Sequence, residues 1–206
     1  MNIINSNKLL LLILLIKNIH ISGLRYINLK SIKRLYVDLY NVGSPKKYNL
    51  EHVVPQCIYK DDQEIKKDMH NIILYPKKLN SRRSNYKYIL KDDYLEYLTI
   101  LNKDGTEVDK CIFDDECSIS NSIMNTFIPH NRHKGIIARS CMYFINEYPK
   151  YKNIVYERII DPKTIIIWNF KYLPTKFENE KNEIIRQLQG NTNKYISDPN
   201  QVLDDI

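Results

Sequence analysis

Three short stretches hold the residues with chemistry to offer: Glu51-His52, Asp68-Met69-His70-Asn71 and Leu79-Asn80-Ser81-Arg82-Arg83-Ser84-Asn85. Within residues 51–85 they gather carboxylates, two histidines, three asparagines and two arginines. A core has little use for that mixture, because buried charge must be paired or shift its pKa. A hydrated magnesium ion holding a phosphodiester has a clear use for it. Mg²⁺ takes oxygen ligands in octahedral geometry and keeps several waters, so one or two protein side chains suffice. A carboxylate with a neutral amide oxygen leaves the ion strongly positive, fit to act on a phosphate oxygen as a Lewis acid. A neutral imidazole can take a proton from the attacking water at neutral pH. An arginine can brace the phosphate through two parallel hydrogen bonds as charge moves onto it. Glu51, Asn80, His52 and one of the arginines would fill those four roles.

The same residues resemble the successive signatures of the endonuclease I family, the sequence-nonspecific His-Me finger (ββα-metal) nucleases. They are Glu51-His52-Val53-Val54-Pro55, Asp68-Met69-His70-Asn71 and Leu79-Asn80-x-x-Arg83-Ser84-Asn85. In the same order follow Lys134-Gly135-Ile136-Ile137-Ala138-Arg139, similar to the family's K/R-G-x-I/V-A-R helix start, and Gln189-Gly190-Asn191-Thr192-Asn193, similar to its closing Q-G-N-x-N. The resemblance covers residues 48–200. It implies an α+β fold with a ββα-metal core and surrounding helices, and cleavage of DNA, with RNA as a second polymer. It places the general base on His52 and the Mg²⁺, Mn²⁺ or Ca²⁺ ligands on Glu51 and Asn80. Arg83 or Arg139 would contact phosphate or fix the neighbouring carboxylates. His70 and Asn71 would hold the backbone of the site through hydrogen bonds. Two departures stand out. Lys194-Tyr195 replaces the Pro-Phe that follows Q-G-N-x-N in many relatives, and the cysteine-rich insert between the first two signatures is missing. The resemblance therefore does not extend to that insert's disulfides or to an arginine it supplies.

The elements that must position these residues read as follows. Ile32, Leu35, Tyr36 and Leu39 form the i, i+3, i+4, i+7 stripe of a helix within residues 24–40. Residues 41–48 are a loop, and residues 49–59 are extended, with Pro55 arguing against a central strand. Residues 61–68 look too polar for a core, while 71–75 are a short apolar run stopped by Pro76. A hairpin is expected from residues 94–102 and 106–114 around Lys103-Asp104-Gly105. Residues 118–127 read as irregular, residues 135–147 as a helix, and 164–170 as a buried run of undecided type. Thr175 with Glu178 makes a capping box for a last helix, which Gly190 ends. Gln189, Gly190 and Asn191 are then a cap and turn rather than catalytic groups. His130-Asn131-Arg132-His133-Lys134 could line a phosphate groove or be a solvated loop.

Length, charge and cysteine content bound the rest. The chain has 206 residues and a net charge of +7, which favours anionic partners and is silent on fold. One domain over residues 24–206 is expected, monomeric and without a small organic cofactor. Residues 9–16 are an unbroken apolar run between Lys8 and Lys17. That is too short to span a bilayer and matches the core of a signal or anchor segment over residues 1–23, hence a secreted or exported protein. The four cysteines lack a C-x-x-C spacing; free thiols are expected, with Cys111–Cys117 the bridge favoured in an oxidising compartment. Two rivals to the nuclease are a nucleic-acid-binding protein that keeps the fold without turnover, and a phosphodiesterase for small esters. Intact Glu51, His52 and Asn80 speak against the first.

Overall fold

Ile32, Leu35, Tyr36 and Leu39 fall on one face of helix α1 (Leu29–Leu39), and all four are buried. Asn28 caps the helix by accepting the Ser31 amide at 3.0 Å. The structure, a computed structural model, describes residues 28–60, 62–90, 98–109 and 117–206. The expected segment over residues 1–23 lies outside them. Strand β1 (Tyr48–His52) pairs antiparallel with β2 (Ile72–Pro76), Glu51 opposite Ile73 and His52 opposite Ile72. Between the strands, residues expected to stay extended turn instead into the short helix α2 (Gln56–Tyr59). Pro55 stands just before it as the N-cap, in the extended conformation its ring favours, at a position where no backbone N–H is needed for the helix. Helix α3 (Lys77–Arg83) follows β2 with no intervening loop.

A second sheet has the order β3 (Lys87–Tyr88), β6 (Thr126–Ile128), β5 (Ser118–Asn121), β4 (Leu98–Leu101). The turn at residues 103–105 forms as expected, with Gly105 at φ 85° donating to the Asn102 carbonyl at 2.9 Å. Its return arm meets β4 only through a bridge between Leu101 and Glu107 among the described residues, and the ladder partner of β4 is β5. The outer ends of that predicted hairpin, residues 94–97 and 110–114, lie outside the described residues. Residues 118–127, expected to be irregular, are instead the β5–β6 hairpin. Its polar residues are spent on hydrogen bonds within and beside the hairpin. Ser118 Oγ accepts from the His130 amide at 3.0 Å, and Asn121 Oδ1 accepts from the Ile123 and Met124 amides in the turn. Cys117, where β5 begins, is disulfide-bonded, whereas Cys57 and Cys141 are free.

Helix α4 (Asn131–Glu147) begins four residues before the expected start, and its residues 135–145 are all buried. Gly135 is required there, since a Cβ would overlap the Tyr172 carbonyl oxygen and the Arg139 guanidinium. After α5 (Lys152–Arg158), the run of undecided type is helix α6 (Pro162–Lys171), capped where Asp161 accepts from the Thr164 amide at 2.9 Å. Helix α7 (Lys176–Gln189) carries the predicted capping box and ends at Gly190 in the left-handed region, φ 89°. Two short helices, α8 (Lys194–Ser197) and α9 (Val202–Asp205), close the chain.

The β1–β2 ribbon lies between two apolar clusters because its side chains alternate. Ile73 and Tyr75 join the larger cluster with Ile137, Cys141 and Phe144 of α4. Ile72 and Leu74 join Ile32 and Tyr36 of α1 and Ile185 and Leu188 of α7. The ribbon is thus gripped on both faces. None of the helices among the described residues is long and apolar enough to cross a membrane.

Candidate functional site

Glu51 and His52 end β1, and α3 lies across them. Asn80 and Arg83 are three residues apart, so they share one face of α3, and both reach β1. Asn80 Nδ2 donates to the Leu50 carbonyl at 3.3 Å. Arg83 donates to Glu51 Oε1 at 2.7 Å, to the Val53 carbonyl at 2.7 Å and to the His52 carbonyl at 3.4 Å. The structure therefore brings together Glu51, His52, Asn80 and Arg83, positions up to 32 residues apart.

Arg83 is only 1% exposed and its guanidinium lies 4.5 Å from the centre of the Tyr88 ring. Its terminal N–H groups are committed to Glu51 and to backbone carbonyls. Of the two jobs open to it from sequence, fixing the carboxylate is the one its contacts describe. Burial pushes the Glu51 carboxyl up to about 7, while the Arg83 charge and hydrogen bond pull it back. No described hydrogen bond occupies Glu51 Oε2 or Asn80 Oδ1. These are hard oxygen donors, a carboxylate and a neutral amide, of the kind that suits a magnesium-class cation. Among the described residues no cluster of three or more His, Cys, Asp or Glu side chains forms a metal site. A cation here would rest on few protein ligands and keep much of its water.

His52 is 9% exposed and held at both ring nitrogens. Nε2 lies 2.9 Å from the Lys66 carbonyl oxygen, which can only accept, so Nε2 carries the proton. Nδ1 then holds the lone pair and accepts from Gln56 Nε2 at 3.0 Å. Burial lowers the imidazole pKa, the Lys66 carbonyl opposes this, and the charges of Lys66 and Arg83 lower it further. The ring is accordingly neutral at physiological pH, with its basic atom defined.

The loop that follows His52 is fastened by the second signature. Asn71 accepts from the Val54 amide at 2.8 Å and donates to the Val54 carbonyl at 3.1 Å, as a strand partner would. His70 is buried, stacks against Tyr143 at 4.4 Å, and lies 3.3 Å from the Asn191 carbonyl through Nε2. Burial pushes it down to about 4, the Asp68 charge opposing. Asp68 was expected on a solvated segment and is instead fully buried. It can be, because four donors surround it: the His70 amide, Gln189 Nε2, Tyr143 OH and Tyr148 OH, at 2.7–3.0 Å. Gln189 also accepts from the Met69 amide at 2.9 Å, so the closing signature is a clamp on the middle one. Lys181, likewise buried, donates to the Ile72 carbonyl at 2.8 Å, and burial brings it down to about 8. Sequence reasoning missed Asp68, Gln56, Lys66, Tyr143 and Lys181. Asp68 alone carried a signal, a carboxylate inside a quoted signature.

Arg139 is placed elsewhere. Its Nε and Nη2 make a two-pronged pair with Glu178 at 2.9 Å each, and Nη1 donates to the Tyr172 carbonyl at 2.9 Å. It is 1% exposed and ties α4 to α6 and α7, and the structure does not bring it to the Glu51–His52 group. In the basic stretch before it, Arg132 is exposed. His133 packs edge-on to Tyr75 at 4.7 Å, and Lys134 donates to Asn131 at 2.6 Å.

The structure is thus a mixed α+β fold in which a two-stranded ribbon and one helix gather a carboxylate, a histidine and an asparagine. The particular family is settled by comparison: the Endonuclease I family model matches residues 37–200, and the chain belongs to that family. It is similar to Endonuclease-1 of Buchnera aphidicola subsp. Acyrthosiphon pisum (strain APS), 27% identical over 189 residues, 81% of this chain and 68% of that one. It is also similar to Endonuclease-1 of Buchnera aphidicola subsp. Baizongia pistaciae (strain Bp), 25% identical over 135 residues, 65% of this chain and 47% of that one. It therefore spans about half the length of the second relative. Family membership supports a nuclease, a hydrolase whose substrate is nucleic acid.

Proposed function

We propose that this chain is a divalent-metal-dependent endonuclease that cuts DNA without reading its sequence and leaves 5′-phosphate ends, RNA being the second polymer to test. The observation that carries this reading is the state of His52. Its Nε2–H is tied to the Lys66 carbonyl at 2.9 Å, which leaves Nδ1, where Gln56 Nε2 donates at 3.0 Å, as the nitrogen that can take a proton. In this reading β1, β2 and α3 are the ββα-metal core. Glu51 and Asn80 would hold Mg²⁺, or Mn²⁺ or Ca²⁺, through Oε2 and Oδ1. The bound ion would supply Lewis-acid stabilisation of charge on the phosphate and on the leaving 3′-oxygen.

The chain's own residues do the rest. His52 takes the proton of the attacking water at Nδ1, and the Lys66 carbonyl stabilises the imidazolium that results. Arg83 aims Glu51 and favours its ionised form against the burial that raises its pKa. Contacts to phosphate rather than to base edges would make cleavage indifferent to sequence and binding sensitive to salt. The Cys117 disulfide supports an oxidising compartment, and with it export of the protein.

The test is cleavage of supercoiled plasmid by the purified protein with Mg²⁺, with EDTA, and with His52→Ala at equal concentration. We expect nicking that needs the metal and a loss on the order of 10²–10⁴ in rate for the variant. Salt-sensitive binding with no cutting would replace this reading by a binding-only protein.

A further inference from the structure

Gln56 takes no part in the chemistry described so far, yet its side chain sits at the basic atom of His52. Nε2 of the amide lies 3.0 Å from His52 Nδ1. Because the other ring nitrogen gives its hydrogen to the Lys66 carbonyl at 2.9 Å, Nδ1 can only accept here, and the amide donates. The two partners differ in kind. The Lys66 carbonyl is backbone, within a single 3-10 turn at residues 65–67, and leaves only if that turn moves. Gln56 is a half-buried side chain at the first position of α2, and rotation about its own bonds releases the ring.

An imidazole nitrogen of this type has one lone pair in the ring plane. A water that is to give up its proton there must stand along that direction, within about 2.6–3.2 Å of Nδ1. The amide nitrogen already occupies that direction, at that distance. Resting on the reading of His52 as the base, we propose that Gln56 is a positioning residue that holds the place of the attacking water. The resting site keeps the ring oriented and its lone pair satisfied. Cleavage requires the Gln56 side chain to turn away and a water to take its position.

A neutral hydrogen bond of this kind shifts an equilibrium by a factor of roughly 2–10. Gln56→Met keeps the side chain's length and removes the donor, and Gln56→Ala removes both. Plasmid cleavage by the full chain, with kcat and KM measured separately, and the ¹⁵N resonance of His52 Nδ1 in labelled protein give two independent readouts. In both variants kcat should rise by about 2–10-fold with KM within twofold. The Nδ1 resonance should move toward that of an unbonded imidazole nitrogen. A kcat that stays level or falls, or a resonance that does not move, overturns the proposal. If His52→Ala cuts as well as the parent, the base itself is misassigned. If His52→Ala is dead and Gln56→Met leaves kcat unchanged, only the role of Gln56 falls.

Discussion

Replacing Arg83 by methionine isolates the buried pair at the heart of the site. Arg83 and Glu51 are 1% and 5% exposed, so neither charge has water to fall back on. Removing one partner of such a pair costs about 3–5 kcal/mol. The structure also predicts how that cost varies with pH. Glu51 has a folded-state pKa of about 7 against an ordinary 4.5. Being raised, it contributes stability that is complete below the unfolded value and is lost as pH rises through the folded one. That gap is worth roughly 3 kcal/mol. Without Arg83 the carboxyl rises further, so its ionisation costs more. In mildly acidic buffer Glu51 is neutral in parent and variant alike. What is lost is then the donation to the His52, Val53 and Ser84 carbonyls, about 1–3 kcal/mol. In mildly alkaline buffer the uncompensated charge is added and the loss should reach about 3–5 kcal/mol. Urea unfolding in EDTA, followed by fluorescence of the single and buried Trp168, reads both numbers. Equal losses in the two buffers, or a loss below about 1 kcal/mol in the alkaline one, would refute the reasoning.

Other perturbations follow from the same geometry. Asp68→Asn puts a donor where four donors already converge, and should cost about 2–4 kcal/mol by urea unfolding, because an amide cannot satisfy them all. Arg139→Lys loses the two-pronged grip on Glu178 and should lower Tm by several degrees in a thermal melt. Below the transition its kcat should stay within twofold of the parent, and a drop of a hundredfold would return Arg139 to the catalytic site. Divalent cations should raise Tm more at pH 8 than at pH 5 in paired melts, because the buried Glu51 must ionise to bind them.

Much of the candidate site was legible because its residues are chemically expensive and local in sequence. Glu51, His52 and Asn80 stand in short signatures, and the strand-to-helix step at Pro76 sets Asn80 and Arg83 on a shared face. The capping box at Thr175 and the glycine stop at Gly190 were equally plain, since helix ends are written in a few neighbouring residues. What escaped was decided at long range. Asp68 looks like a surface charge until Tyr143, Tyr148 and Gln189 arrive from elsewhere to satisfy it. Arg139 follows the family pattern and yet answers to Glu178, which is 39 residues away. The β5–β6 hairpin was hidden by polar residues with mixed uses: Asn121 caps its own turn, while Ser118 and Ser120 find partners in His130 and Arg82, beyond a local window.

The clamp of Gln189 on Asp68 and on the Met69 amide joins residues 120 and 121 positions apart. During synthesis, the loop behind the histidine is made early and its fastening last. A nascent chain that has emerged only as far as α6 carries every proposed reacting group but lacks Lys181, Gln189 and Asn191 to fix their backbone. Ribosome-bound intermediates should therefore be inert toward the nucleic acid around them, and cutting competence should switch on only when the final turn of α7 has left the exit tunnel. If the chain cuts without sequence preference, as proposed above, this order of events gives it a delay that no inhibitor has to provide.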